Sequence, residues 1–216
     1  MNNTQLAEKQ KISNFEELVS EAEVEKTIAA LKANGMDALV VENGEDGKQK
    51  VLEMLPEGAE VMNMTSVTLD TISLAKEITE SGRFNSVRNK LNKMDRKTQG
   101  SEMRKLSAAP EWAVGSVHAI TQDGKVVIAS NTGSQLPAYA YGAAHVIWVV
   151  GTQKIVKDMD EARKRIFEYV LPLESVRLNK AYNLTMGSNV SKLLIVSKEV
   201  TAGRITVIFV KEVLGF

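Results

Sequence analysis

The chain of 216 residues contains no cysteine. That excludes disulfides, a thiolate nucleophile, cysteine-bound zinc and an iron–sulfur cluster ligated from within this sequence. Only two histidines are present, and neither sits in an HExxH or a paired-histidine spacing, which makes a poor metal set. Charge of either sign is not in excess: Lys plus Arg and Asp plus Glu both number 27, for a formal net charge of zero. Such a balance leaves no electrostatic footprint for nucleic acid or an anionic membrane surface. No apolar run approaches the roughly 18 residues that span a bilayer, and the polar start MNNTQLAEKQK lacks the apolar centre of a secretion signal. A cytoplasmic protein is the default expectation. Walker loops, GxGxxG and GxSxG elbows are missing as well.

What is present is ordinary globular material, 44% hydrophobic and 25% charged, enough for one domain with its own core. Residues 1–12 read as a flexible start, and residues 13–216 as a single α/β domain with an N-terminal helical arm. The text SNFEELVSEAEVEKTIAALKANG from Ser13 has capping-box spacing at Ser13 and Glu16 and a natural stop at Gly35. It predicts two helices or one bent helix. A repeating alternation follows: a strand over Asp37–Glu42, a helix from Gly44 to about Leu55, and a second strand over Glu60–Met64. A helix capped by Thr65 or Ser66 then carries Leu69, Ile72, Leu74 and Ile78 as far as Gly82. Strand–helix–strand order with short loops implies βαβ units and a largely parallel sheet.

Phe84–Arg88 reads as a further short strand, and the basic stretch 90–107 as a solvated helical face. The apolar runs 112–121 and 125–129, split by Gln122-Asp123-Gly124, carry a strong hairpin signal and predict antiparallel pairing grafted onto the parallel sheet. A short helix over about Leu136–Tyr141 leads to a buried strand, His145–Val150. A helix started by Asp158 and Glu161 turns Ala162, Ile166, Phe167 and Val170 inward. After a loop over Asn179–Lys192, Leu193–Val196 and Arg204–Val210 are expected to close the sheet.

Three places could carry chemistry. Asn131, Thr132, Gly133, Ser134 and Gln135 lie between a strand and a helix, where free backbone N–H groups favour an anion and Gly133 permits close approach. These residue types equally make a plain turn with a cap. Thr65, Ser66 and Thr68 follow the Glu60–Met64 strand and offer hydroxyls to a carboxylate or phosphate, or serve only as a cap. Lys154 follows the buried strand, where its ammonium could meet an anion at the same edge or simply stay exposed in a loop. In parallel sheets, ligands bind in the crevice at the carboxyl ends of strands. His118 and His145 read as structural, and Asp123 and Asp158 as turn and cap residues.

Several stretches together resemble the LUD-domain family, named for lactate utilisation: TSVTL (Thr65–Leu69), VGSVHAITQDG (Val114–Gly124), NTGS (Asn131–Ser134), YGAAHVIWVVGTQKIVKDMDEARKRI (Tyr141–Ile166) and GRITVIFVKEVLGF (Gly203–Phe216). The resemblance runs over roughly residues 12–216. It implies a fold like that of ribose-5-phosphate isomerase, glucosamine-phosphate deaminase and the CoA transferases. It also implies a role in bacterial oxidation of L-lactate to pyruvate beside separate iron–sulfur subunits, which suits a chain unable to hold a cluster or other cofactor of its own. It carries no catalytic residues over. Many relatives have a cysteine cluster in the segment matching Tyr182–Lys192, here YNLTMGSNVSK, so that segment departs from the family pattern. The leading expectation is an accessory or ligand-binding component of lactate utilisation that takes a small anionic ligand. The alternatives are a stand-alone enzyme acting on a sugar phosphate or acyl-CoA, and a structural or regulatory protein. Neither a nucleic-acid nor a membrane partner is expected, and a homodimer is the base-rate expectation.

Overall fold

The computed structural model describes residues 14–182 and 187–216. The first twelve residues, the proposed Ser13 cap and part of the Tyr182–Lys192 segment lie outside these. A single 3-10 turn at Asn14–Glu16 precedes helix α1 (Glu21–Ala33). The capping box of α1 is formed by Ser20 and Glu23, with the Ser20 N–H donating to Glu23 Oε2 at 3.0 Å. The same S-x-x-E spacing therefore occurs twice, and the second copy starts the long helix.

Among the described residues ten strands follow: β1 (Asp37–Val41), β2 (Glu60–Asn63), β3 (Asn85–Ser86), β4 (Trp112–Gly115), β5 (Ala119–Thr121), β6 (Val126–Ser130), β7 (His145–Gly151), β8 (Ile155–Val156), β9 (Lys192–Val196) and β10 (Ile205–Val210). Six of them form one sheet in the order β1-β10-β7-β4-β2-β3, every pair parallel. The expected parallel α/β architecture is present. Its central strands are apolar on both faces because both faces are covered. Val146, Trp148 and Val150 of β7, with Val207 and Phe209 of β10, enter one core; Ile147, Val149, Ile208 and Val210 enter the other.

The second core is closed by helices α2 (Gly44–Met54), α3 (Val67–Thr71) and α4 (Leu74–Glu80), through Val51, Leu69, Leu74 and Ile78. The helix expected to run unbroken to Gly82 is broken at Ser73, whose φ is +57°, so Leu74 starts a new axis. Only Asn85 and Ser86 of the expected 84–88 strand pair with the sheet. Val87 already begins α5 (Val87–Asn92), and α6 (Arg96–Ala108) carries the basic stretch with no fully buried residue.

The hairpin departs from expectation. The run 112–121 is not one strand: β4 belongs to the parallel sheet, but the chain turns out at Ser116–His118, and β5 pairs antiparallel with β6 in a separate four-stranded sheet, β8-β5-β6-β9. The 193–196 strand likewise joins this small sheet rather than closing the large one. Ile120, Val126 and Ile128 pack it onto the first core, and Ala119, Val127 and Ala129 face Ala162 and Ile166 on its other side. Helix α7 (Met159–Lys164), capped by Asp158, runs into a π-type turn at Arg165–Val170 and then α8 (Leu171–Tyr182). The wider turn adds a residue and shifts the helical phase. Phe167 is consequently exposed, at 41%, and Tyr169 takes the inward place expected for it.

Among the described residues, no helix is long and apolar enough to cross a membrane.

Candidate functional site

The parallel sheet directs every strand's carboxyl end to one edge. At β2 and β4 the outgoing connections part: α3 and α4 pass to one face, β5 and β6 to the other. Neighbouring strands whose connections diverge leave a crevice between their ends. Into it come Thr65, Ser66 and Thr68 after β2, Ser116 and His118 after β4, and Lys154 after β7.

Lys154 is the centre of this group. It ends the 3-10 turn Thr152–Lys154, whose three residues are all buried, and is itself only 2% exposed. Its Nζ lies 3.0 Å from Thr68 Oγ1 and 3.2 Å from Ser116 Oγ, tying the ends of three strands together. No carboxylate lies within ion-pair distance of it among the described residues. Burial, and then the positive charge of Arg165, hold its amine well below the ordinary lysine range.

Thr68 is also buried, and its hydroxyl donates to the Leu214 carbonyl at 3.1 Å. The C-terminal segment thus forms a strap across the base of the crevice. Gln153 Nε2 donates to the carbonyls of Leu214 (3.1 Å) and Gly215 (3.3 Å). Gly215 has a φ of +60°, and a Cβ there would lie 2.7 Å from Thr68 Oγ1, so both backbone shape and space require glycine. Gly115, at the end of β4, is constrained by space alone: a Cβ would overlap the Tyr139 hydroxyl.

Two further groups bring positive or hydrogen-bonding character. The Arg165 guanidinium is buried; Nη1 donates to the His118 carbonyl at 2.7 Å, and Nε and Nη2 have no hydrogen-bond partner. It lies over the Tyr169 ring at 5.2 Å, and burial pushes its pKa down to about 10, so it remains charged at neutral pH. Half-buried His118 accepts the Ala129 N–H at Nδ1 (3.1 Å), which places its proton on Nε2. Burial first, then Lys154 and Arg165, push the imidazole down to about 3, keeping it neutral. Asn63 Oδ1, at the end of β2, is buried without a partner.

The expected candidates divide. Thr68 and Lys154 are joined by a hydrogen bond, and Lys154 is buried rather than a loose loop residue. Ser66 caps α3 by accepting the Leu69 N–H at 3.4 Å, and exposed Thr65 receives Arg88 Nη2 at 3.4 Å. Asn131–Gln135 form a turn at the end of β6 whose hydrogen bonds stay local. Gly133 N–H donates to Ser130 Oγ, Thr132 Oγ1 to Ser134 Oγ, Gln135 Nε2 to the Ala129 carbonyl, and Ser191 Oγ to Asn131 Oδ1. Just before the turn, the Ala129 N–H donates to His118 Nδ1. Ser116 and Arg165 were not singled out by sequence, and His118 was read as structural. The one available signal was Arg165, which stands three residues after the inward Ala162 and thus on the buried side of its helix.

Two surface cavities are lined by none of Lys154, Thr68, Ser116, His118 and Arg165. One of about 410 Å³ is lined by Glu45 and Glu212 beside Lys48 and Leu214; another of about 520 Å³ is lined by Glu17, Glu23 and Glu161 beside Lys157. Carboxylates outnumber cations in both, so an anion is better accommodated at Lys154. No group of three or more metal-ligating side chains occurs among the described residues.

The sequence matches the family model described as LUD domain over residues 24–210. The fold is similar to that of a DUF162 family protein from Deinococcus radiodurans, with a TM-score of 0.54 and 12% identity over 89% of this chain and 98% of that one. No curated protein matches. With a model covering most of its length, the chain belongs to the LUD domain family.

Proposed function

We propose that this chain is a ligand-binding component of organic-acid utilisation, lactate to pyruvate, and that the crevice around Lys154 receives a small carboxylate. The observation that carries the reading is a buried lysine and a buried arginine, neither with a carboxylate at ion-pair distance among the described residues. Buried cations are ordinarily paired, because an uncompensated charge away from water is expensive. A site that lacks its counter-charge is complementary to a ligand that brings one. Thr68 and Ser116 offer hydroxyls, and His118 a neutral imidazole N–H, for the ligand's oxygens. Ser66, Ser116 and His118 are half-buried and Thr65 is exposed, while Lys154 and Thr68 are buried. A pathway role in lactate oxidation rests on family membership. Since the chain has no cysteine, the iron–sulfur centres that accept the electrons would belong to partner subunits.

The test is a thermal-shift and calorimetric screen of lactate, pyruvate, sugar phosphates and acyl-CoAs against the native chain and Lys154→Met. A ligand at ~100 times its Kd stabilises by about 2.7 kcal/mol. A shift with lactate or pyruvate that disappears in the variant is expected. Equal shifts in both proteins would remove Lys154 from the site, and a response confined to sugar phosphates or acyl-CoAs would favour a stand-alone enzyme instead.

A further inference from the structure

We infer that Lys154 is a covalent, imine-forming residue, and that the ligand class of the crevice is the 2-oxo acid, a carboxylate bearing an adjacent carbonyl. This deepens the reading above and rests on it for the carboxylate.

The argument begins with the protons around Nζ. The Thr68 hydroxyl proton is committed to the Leu214 carbonyl, so Thr68 Oγ1 can only accept from Lys154. Ser116 Oγ supplies a second acceptor at 3.2 Å. Two acceptors match the two hydrogens of a neutral amine and leave its lone pair unengaged. An ammonium in the same place would keep a third N–H buried without a partner, beside a charged guanidinium and with no carboxylate at hand among the described residues. A desolvated lysine next to another cation is the arrangement that activates an amine toward carbonyl carbon.

The neighbouring groups fit the rest of such a substrate. Arg165 has two buried nitrogens free of hydrogen-bond partners and carries the charge that a carboxylate would meet. The half-buried Ser116 hydroxyl, within hydrogen-bond distance of Nζ, stands where it can relay a proton to the carbonyl oxygen as that oxygen develops negative charge. In the step itself the Nζ lone pair attacks the keto carbon, a C–N bond forms and the C=O π pair moves to oxygen. The carbinolamine then expels that oxygen as water. The two amine hydrogens leave in the water, and a C=N bond remains. No oxidant, metal or second substrate is needed.

The experiment is reductive trapping of the full chain at pH 7 with pyruvate and sodium cyanoborohydride, read by intact mass and peptide mapping. Lys154→Arg serves as the charge-conserving control, with a thermal melt to establish that it is folded. An ordinary lysine presents its free amine in roughly one part in a thousand or less at this pH. A single reduced adduct on the Lys154 peptide, exceeding every other lysine at least ~tenfold and absent from Lys154→Arg, is the expected result. Label spread evenly over surface lysines would overturn the proposal. So would pyruvate that binds with a Lys154-dependent thermal shift yet leaves no adduct, although that outcome would retain the carboxylate site. Absence of both the adduct and any carboxylate-induced shift would overturn the imine and the anion-binding reading together.

Discussion

Replacing Lys154 by Met is expected to leave the unliganded protein as stable as the native chain, or more stable, at neutral pH. The side chains are similar in volume, so no cavity opens. The loss is two hydrogen bonds, each worth about 1 kcal/mol. Thr68 keeps its bond to Leu214, and half-buried Ser116 can turn to water, so neither hydroxyl is stranded. The gain is relief from burying an amine that the unfolded chain holds fully protonated and hydrated.

That gain depends on pH in a direction that can be worked out. The folded-state pKa of Lys154 lies well below the ordinary 10.5. Between the two values the unfolded state binds one more proton than the folded state, so native stability rises with pH in that window. Within that window the slope reaches about 1.4 kcal/mol per pH unit. The groups facing Nζ do not obscure this: Thr68 and Ser116 do not titrate, His118 is neutral throughout, and Arg165 stays mostly charged. Urea unfolding of both proteins at pH 7, 8 and 9 is the assay, and the midpoint of the native chain is expected to rise with pH relative to that of the variant. A variant less stable than the native chain at pH 7, with parallel pH profiles, would show that Lys154 is a paired structural ammonium and would refute the reasoning.

Further outcomes follow from neighbouring features. Gly115→Ala should destabilise by about 1–3 kcal/mol, because the new Cβ overlaps the Tyr139 hydroxyl, and adding Tyr139→Phe should recover part of the loss in a thermal melt. Arg204→Met should cost about 3–5 kcal/mol, since it leaves Glu199 without its ion-pair partner (2.6 Å) and takes the guanidinium donor from the carbonyls of Tyr139 and Ala143. At this size each kcal/mol lowers Tm by roughly 2–4 °C. His118 has a folded pKa near 3 against an ordinary 6.5, so the native chain should lose stability as pH falls from 6.5 toward 3, the range in which the unfolded state binds the extra proton. His118→Asn, whose amide oxygen can still accept the Ala129 N–H, should flatten that acid limb in pH-dependent unfolding.

Much of the fold was written locally. Helix starts followed from side chains that bond their own backbone, as with Asp158, Ser66 and the Ser20–Glu23 box. The parallel sheet followed from the strand–helix–strand order with short loops, and its central strands are buried on both faces. Where local signals failed, they were ambiguous in kind. Ser13–Glu16 and Ser20–Glu23 have the same spacing, and the second caps the long helix that packs through Val24 and Leu31. The phase of the 159–170 helix could not reveal a π-type turn, so Phe167 and Tyr169 exchanged places.

The candidate site shows the division most clearly. Sequence alone could nominate Thr68 and Lys154, because hydroxyls and an ammonium just after apolar strands fall at the edge where parallel sheets bind ligands. It could not tell that Lys154 would be buried, that Ser116 would meet it, or that Arg165 would arrive without a carboxylate. Those facts depend on contacts between segments 38 and 86 residues apart, and on the break of the 112–121 run into two sheets. Composition and periodicity determine which residues must leave water. Only the tertiary arrangement decides which polar groups go with them, and whether they find partners there.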